Sequence, residues 1–360
     1  MKSLYIHIPF CKQKCLYCDF NSYSGKEHLI KEYVMALKKE IQSYNIYEFE
    51  TVYFGGGTPS LIPAQYIKEI MSIIKCKNEV TLELNPGTID EEKLEKYKEA
   101  GINRLSIGLQ TTQNSILKEI GRIHTIEEFD KVYNMARKTG FENLNVDLMF
   151  GLPNQTINDV NESLEYLIRI SPEHISCYSL IVHNDIFKNL PSEENEREMY
   201  YLIINKLKEA GYVHYEISNF AKPSKESKHN LCYWNQEEYI GVGAGASSYL
   251  DGKRYTNELS IEKYITKINR KEQSYEVEEI QDQESKIKEY MILRLRVLEG
   301  VSVQKAFEKF GIDVCQKFKE EISKMQEKEL LEIVQKEGNK FIKLTKKGLD
   351  FANIVWEEFI

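Results

Sequence analysis

The sequence predicts an α/β fold, a (β/α)6 partial TIM-type barrel followed by a C-terminal helical, winged-helix-like domain. Three observations carry that expectation. Strand-like and helix-like runs alternate six times over roughly the first 220 residues. Polar and glycine-rich residues recur directly after the strand-like runs. From about residue 280 a helical pattern replaces the alternation. Repeated strand–helix units demand right-handed crossovers and a parallel sheet. Six of them fit a partial barrel or an open doubly wound sheet.

The strands are expected at SLYIHI (3–8), ETVYFGGG (50–57), EVTLELNP (79–86), NRLSIGLQ (103–110), NLNVDLMFGLP (143–153) and HISCYSLIV (174–182). They are short, rich in Val, Ile, Leu and Tyr, and often end in Gly or Pro. Helices are expected between them near 27–45, 63–75, 90–100, 126–139, 157–170 and 193–210. Asp90 suits an N-cap and Gly101 a helix stop. Thr125 followed by Glu128 reads as a capping box. Residues 218–258, including GVGAGASSY, read as irregular structure with short strands. Beyond 280 come three helical runs, two short strands at LLEIVQ and KFIKLT, and a last helix near 346–359. The expected division is a barrel over 1–220, an extension and connector over 221–279, and a winged-helix-like unit over 280–360.

The chain has 360 residues, 42% hydrophobic and 29% charged, with a net charge of −8. Such a chain is globular, and its mild acidity argues against a broad grip on nucleic acid. The segment from 280 onward carries 15 basic and 15 acidic residues, unlike a DNA-reading module. A structural or lid-like role suits it better. No apolar run approaches the ~18 residues of a transmembrane helix. The start, MKSLYIHIPFCKQKC, is neither a signal peptide nor a transit sequence, so a cytoplasmic protein is expected.

Seven cysteines are unevenly placed: Cys11, Cys15 and Cys18 fall within eight residues, and the other four are scattered. A disulfide framework belongs to small secreted chains. The scattered four read as small buried hydrophobes. The close trio points to a metal. Zinc would need a fourth ligand, for which His7 or Asp19 is at hand. An iron–sulfur cubane held by three thiolates would instead leave one iron open to a small molecule. Gly55, Gly56 and Gly57 follow the second strand, Gln110 ends the fourth, and Asp147 lies near the end of the fifth. In parallel α/β folds, sites are built at that rim.

CKQKCLYC resembles the signature of the radical S-adenosylmethionine (radical SAM) superfamily. That resemblance implies a [4Fe–4S] cluster on Cys11, Cys15 and Cys18. It implies that the open iron chelates SAM, and that a reduced cluster cleaves SAM to a 5′-deoxyadenosyl radical. LYIHIPFCKQKCLYCDFNS, VYFGGGTPSLI, LELNPGT, RLSIGLQT, GRIH, NVDLMFGLP, HNLCYW and YIGVGAGA together resemble the oxygen-independent coproporphyrinogen oxidase-like branch. Within it, three features resemble the heme-chaperone (HemW) group more than the dehydrogenase (HemN) group. The first strand starts near residue 4. Asp19-Phe20 stands where the dehydrogenases continue to a fourth Cys. The motif HN-x-x-YW is present as His229, Asn230, Tyr233 and Trp234.

The resemblance implies roles residue by residue. Tyr17 would contact adenine, and Tyr5 would lie beside the carboxylate end of SAM. Gly56, Gly57 and Thr58 would form the turn that receives its amino group. Glu83 would meet its ribose or cationic groups. Gln110, Arg122 and Asp147 would line the same cavity. For each of these, packing or a structural ion pair such as Arg122–Asp147 is the competing reading. His229 would face heme iron, with Tyr233 and Trp234 stacking on the porphyrin and Cys232 as an alternative ligand. Many relatives in the chaperone group carry a His in the glycine-rich segment where this sequence has Ser247. The resemblance also implies heme as cargo, a heme-accepting protein, such as a respiratory one, as partner, and a homodimer. Two rivals remain open: oxidative decarboxylation of coproporphyrinogen III, and a zinc-bound nucleic-acid module.

Overall fold

A computed structural model describes residues 2–181 and 186–360. Six strand–helix units open the chain. They are β1 (Ser3–Ile8) with α1 (Ile30–Ser43), β2 (Glu48–Gly56) with α2 (Ala64–Met71), and β3 (Lys75–Leu84) with α3 (Glu91–Glu99). Then follow β4 (Arg104–Gln110) with α4 (Asn114–Glu119) and α5 (Ile126–Lys138), β5 (Leu144–Phe150) with α6 (Ile157–Ile170), and β6 (His174–Ser179) with α7 (Glu193–Glu209). Val182, the last residue of the expected sixth strand, lies outside the described residues.

Strands β1 to β6 pair in sequence order, each parallel to the next. Their period of two sorts the side chains. Leu4, Ile6 and Ile8 join Tyr33, Val34 and Leu37 of α1 in one buried cluster. Tyr5 and His7 between them face a cavity. Local signals set the helix starts. Asp90 accepts a hydrogen bond from the Lys93 backbone at 2.8 Å, and Thr125 and Glu128 form the reciprocal capping box. A second box at Thr156 and Asp159 opens α6.

Residues 218–258, expected to be irregular with short strands, and the stretches on either side of them form regular strands. β7 (Val213–Glu216) and β8 (Asn219–Ala221) pair antiparallel beyond β6. After α8 (Lys228–Trp234), β9 (Tyr239–Val242) lies parallel to β1 on the other flank. β10 (Ser247–Leu250), β11 (Lys253–Asn257), α9 (Ile261–Asn269) and β12 (Tyr275–Ile280) follow. Among the described residues the sheet runs β12-β11-β10-β9-β1-β2-β3-β4-β5-β6-β8-β7. Strands of three to six residues carry too little alternation to be read from sequence; pairing with an existing edge creates them.

Beyond 280 stand α10 (Gln283–Leu295), β13 (Val301–Ser302), α11 (Val303–Phe310), α12 (Val314–Lys317) and α13 (Lys319–Glu327). β14 (Leu331–Lys336), β15 (Asn339–Leu344), α14 (Lys346–Asp350) and α15 (Ala352–Glu357) complete the segment. A three-stranded sheet, β13-β15-β14, accompanies the helices. Two helices expected to be continuous break at Phe318 and Phe351, which leave helical geometry. Phe318 turns inward, edge-on to Phe359 at 5.4 Å. This segment has its own buried cluster around Met291, Ile322, Met325, Ile342 and Val355.

Two devices position the site. The first is the seating of α8 across the base of the barrel. Glu79 of β3 accepts hydrogen bonds from the Lys228 and His229 backbone at 3.1 and 3.2 Å, at the positive end of α8. Glu79→Gln is expected to cost about 1–2 kcal/mol in urea unfolding; an unchanged midpoint would mean that the charge on this cap contributes nothing. The second is the junction with the C-terminal segment. Ile217 donates to the Arg296 carbonyl at 3.1 Å and Leu298 to that of Tyr215 at 3.0 Å. The Arg296 guanidinium lies 4.5 Å from the Trp234 ring and 5.2 Å from that of Trp356.

Candidate cofactor site

The cysteine loop leaves β1 at Pro9 and is tied at both ends. The Cys11 backbone donates to the Tyr23 carbonyl at 2.9 Å, and Tyr23 to that of Pro9 at 2.8 Å. Leu16 donates to the Ile120 carbonyl at 3.2 Å, fixing the middle of the loop to the end of α4. The glycine turn after β2 closes against the loop: Gly57 donates to the Ile8 carbonyl at 2.9 Å and Thr58 to that of Phe10 at 2.8 Å. A Cβ on Gly57 would sit 2.8 Å from the Phe10 carbonyl oxygen and 3.0 Å from Cys11 Sγ. On Gly56, whose φ is +109°, it would strike the His7 ring. Glycine is required here for close approach and for backbone conformation.

The thiols have polar neighbours. Thr58 Oγ1 lies 3.6 Å from Cys11 Sγ. Arg122 Nη1 lies 3.7 Å from Cys15 Sγ and 3.4 Å from the Tyr17 hydroxyl, while its Nη2 donates to the Gly108 carbonyl at 2.9 Å. Arg122 therefore faces the cysteine loop, and the alternative pairing with Asp147 is not made. Gln110 holds a left-handed φ of +73°, a strained conformation for a residue with a side chain.

Cys11, Cys15, Cys18, Tyr17, Gly56, Gly57, Thr58, Glu83, Gln110, Arg122 and Asp147 all line one cavity of about 360 Å³. Among the described residues, no three His, Cys, Asp or Glu side chains are drawn together tightly enough to hold a single metal ion. The three sulfurs open instead on a space large enough for a cluster. An all-thiolate donor set with a guanidinium beside it suits iron–sulfur ligation, in which the cluster body keeps its ligands apart. The residues present fit such a group.

Tyr5 and His229 lie elsewhere. Tyr5 lines a second cavity of about 560 Å³ together with Phe20, Tyr233, Trp234, Tyr239 and Arg254. Ser247 lines it too, and Asp19 and Phe20 line both cavities. His229 lines neither and is 1% exposed. Its Nδ1–H donates to Thr51 Oγ1 at 2.7 Å, and the Tyr233 hydroxyl donates to its Nε2 at 2.7 Å. The Thr51 hydroxyl in turn donates to Ser3 Oγ at 2.9 Å, and Ser3 donates to Cys232 Sγ at 3.0 Å. Burial lowers the His229 pKa to about 3, so the ring is neutral. As placed, this imidazole offers no free nitrogen to a heme, and Cys232 is also bonded and buried.

Several cavity residues escaped the sequence reading. β4 presents Arg104, Ser106 and Gly108 to the cavity in step with the expected Gln110, at a period of two that was legible in RLSIGLQ. Asn145 donates to Asp147 Oδ1 at 2.7 Å and accepts from His174 at 2.6 Å. Tyr53 donates to Glu83 Oε1 at 2.8 Å. Asn230 is the residue of the HN-x-x-YW motif that lines the first cavity.

Burial pushes the Glu83 carboxyl up to about 7, partly countered by the bond from Tyr53. Burial also raises Asp147. Folding therefore takes up a proton at Glu83 as pH falls below about 7. Its contribution to stability is lost as pH rises from about 4.5 to about 7. Glu83→Gln removes that loss, so the variant should gain melting temperature relative to wild type between pH 5 and pH 8. A gap independent of pH would mean that Glu83 stays ionised throughout.

Comparison with known proteins agrees with this geometry. Residues 5–167 match the radical SAM superfamily model, and residues 281–351 match the HemN C-terminal domain. The chain is 37% identical to the heme chaperone HemW of Lactococcus lactis, covering 99% of this chain and 97% of that one. It is 38% identical to the HemW of Bacillus subtilis, covering 100% and 99%. The chain belongs to the HemW family of radical SAM proteins. Membership in that superfamily implies a [4Fe–4S] cluster and SAM, the groups that the thiol-lined cavity fits. The fold is shared with coproporphyrinogen III oxidase (HemN) from Escherichia coli, at a TM-score of 0.86 and 21% identity over 99% of this chain and 89% of that one. Among the described residues no helix is long and apolar enough to cross a membrane.

Proposed function

We propose that this chain is a heme chaperone: it holds a [4Fe–4S] cluster and exchangeable SAM in the thiol-lined cavity, binds heme beside them, and hands heme to an acceptor protein. The observation that carries this reading is the pair of cavities meeting at Asp19 and Phe20, directly after the third cysteine. One bears the cysteines beside Glu83, Arg104, Arg122 and Asp147; the other is walled by Tyr5, Phe20, Tyr233, Trp234 and Tyr239.

In this reading Cys11, Cys15 and Cys18 hold the cluster. When bound, the cluster and SAM supply one-electron chemistry. The chain's own residues do the positioning. Gly56, Gly57 and Thr58 bring backbone close to the loop. Tyr17 packs against adenine, and Glu83 accepts from ribose hydroxyls. Gln110, Arg122 and Asp147 set the polarity of the remaining wall. Heme is held in the second cavity by the rings of Tyr5, Phe20, Tyr233, Trp234 and Tyr239. His229 supports that wall through Tyr233, and axial ligation by it would require one of its two hydrogen bonds to break. The barrel (1–220), the connector (221–279) and the C-terminal segment (280–360) divide cofactor binding, heme contact and closure among them. The reading places the protein in the cytoplasm, as a homodimer at least transiently, with any membrane contact made through a respiratory partner.

The test is heme titration of the anaerobically cluster-loaded protein, followed by transfer to an apo-acceptor. Saturable binding, with a Soret band that moves to the acceptor, is expected. Trp234→Ala should weaken binding by about tenfold through loss of one aromatic wall. Absence of saturable binding would overturn the reading. Sustained conversion of coproporphyrinogen propionates to vinyl groups would instead favour the dehydrogenase activity, against which Phe20 in place of a fourth Cys already speaks.

A further inference from the structure

Arg104 opens β4, opposite Thr81 of β3, and is 2% exposed at the wall of the thiol-lined cavity. A guanidinium carries five N–H donors, and a buried one needs partners and a counter-charge. Here the needs go unmet. Arg104 Nη1 reaches Thr81 Oγ1 only at 3.5 Å, the limit of a hydrogen bond. Its Nε is buried with no partner. Among the described residues it forms no ion pair within 4 Å. The two carboxylates that share the cavity are turned to other donors: Glu83 to Tyr53 and the Gly56 backbone, Asp147 to Asn145 and Ser176. They feel the charge of Arg104 without contacting it.

Native proteins seldom leave a buried guanidinium in this state, and the space beside it is a ligand cavity. We propose that Arg104 is an anion-binding residue that takes a carboxylate of the ligand in this cavity. The inference rests on the proposed function, in which SAM occupies this cavity with a carboxylate on its methionine half, and heme in the adjoining cavity could extend a propionate past Asp19 and Phe20, which line both. The recognition chemistry is the same for either, a fork of N–H donors meeting a planar carboxylate.

The experiment is a double-mutant cycle between residue and ligand. Dissociation constants are measured on cluster-loaded wild type, Arg104→Gln and Arg104→Lys for SAM and decarboxylated SAM, and for heme and heme dimethyl ester. For one acid, Arg104→Gln is expected to weaken binding at least about tenfold, while its carboxylate-free analogue changes less than about twofold. Arg104→Lys, which keeps the charge but loses the fork, should recover part of that loss. Coupling confined to SAM assigns the carboxylate to the methionine half; coupling confined to heme assigns it to a propionate. If Arg104→Gln does not fold, as judged by its thermal melt, the Lys variant carries the same comparison. Equal effects on each acid and its analogue overturn the assignment while leaving the functional reading intact. A wild-type chain that binds neither ligand overturns both.

Discussion

Cys15→Ala protein purified without oxygen is expected to hold almost none of the roughly four irons and four sulfides predicted for wild type. A cluster on three protein thiolates has no reserve ligand, and among the described residues the other four cysteines do not line the cavity. Arg122 Nη1 lies 3.7 Å from Cys15 Sγ, on the cavity side of the loop. The loss should be one of chemistry and not of folding, because Cys15 is only half-buried and packs no core. Apo wild type and the variant should therefore melt within about 1 kcal/mol of each other. Cys315→Ala, in the C-terminal segment, should keep its full iron content. A Cys15→Ala protein that retains four irons would refute cluster ligation by this loop.

Gly57→Ala should be nearly as damaging to the cluster and more damaging to the fold. The added methyl would press on the Phe10 carbonyl oxygen at 2.8 Å and on Cys11 Sγ at 3.0 Å. Neither side can yield cheaply, since Gly57 and Thr58 are hydrogen-bonded to the strand end that launches the cysteine loop. We expect about 2–3 kcal/mol of destabilisation and loss of most iron, read by urea unfolding and by iron and sulfide assay. Gly87→Ala is the control. Its Cβ would meet only the Ile123 side chain, at 3.3 Å, and should leave both measurements near wild type. Equal behaviour of the two variants would mean that close packing at Gly57 is not what shapes the loop.

The alternation that predicted six strand–helix units is a local signal, and it placed β1 to β6 to within about four residues of their ends. Asp90 and Thr125 cap where the sequence said they would, because a cap is satisfied within one turn. Of the flanking strands, β8 to β11 fall in the stretch 218–258 expected to be irregular with short strands, and β7 and β12 were not expected. Their hydrogen bonds come from neighbours far along the chain, as with β9 beside β1. The breaks at Phe318 and Phe351 were likewise invisible; at Phe318 the ring turns in against Phe359, a partner that local propensity does not reveal.

At the site, the cysteine spacing and the glycine turn could be read directly, because each is a run of a few neighbouring residues. The contact between Arg122 and Cys15 spans 107 residues, and only the resemblance to a family brought Arg122 to notice. Arg104 was passed over as part of a strand, although its alternation with Ser106, Gly108 and Gln110 was on view.

The sequence by itself determined the period of each element, its caps, and a trio of thiols that can converge without help from the rest of the chain. Only the tertiary structure decided which buried polar groups are satisfied. It closed both nitrogens of His229 with hydrogen bonds and left Arg104 without a counter-ion. The reason is physical: spacing along a chain fixes what neighbours can reach, whereas the partners of a buried charge are set by packing between strands that sequence order does not reveal.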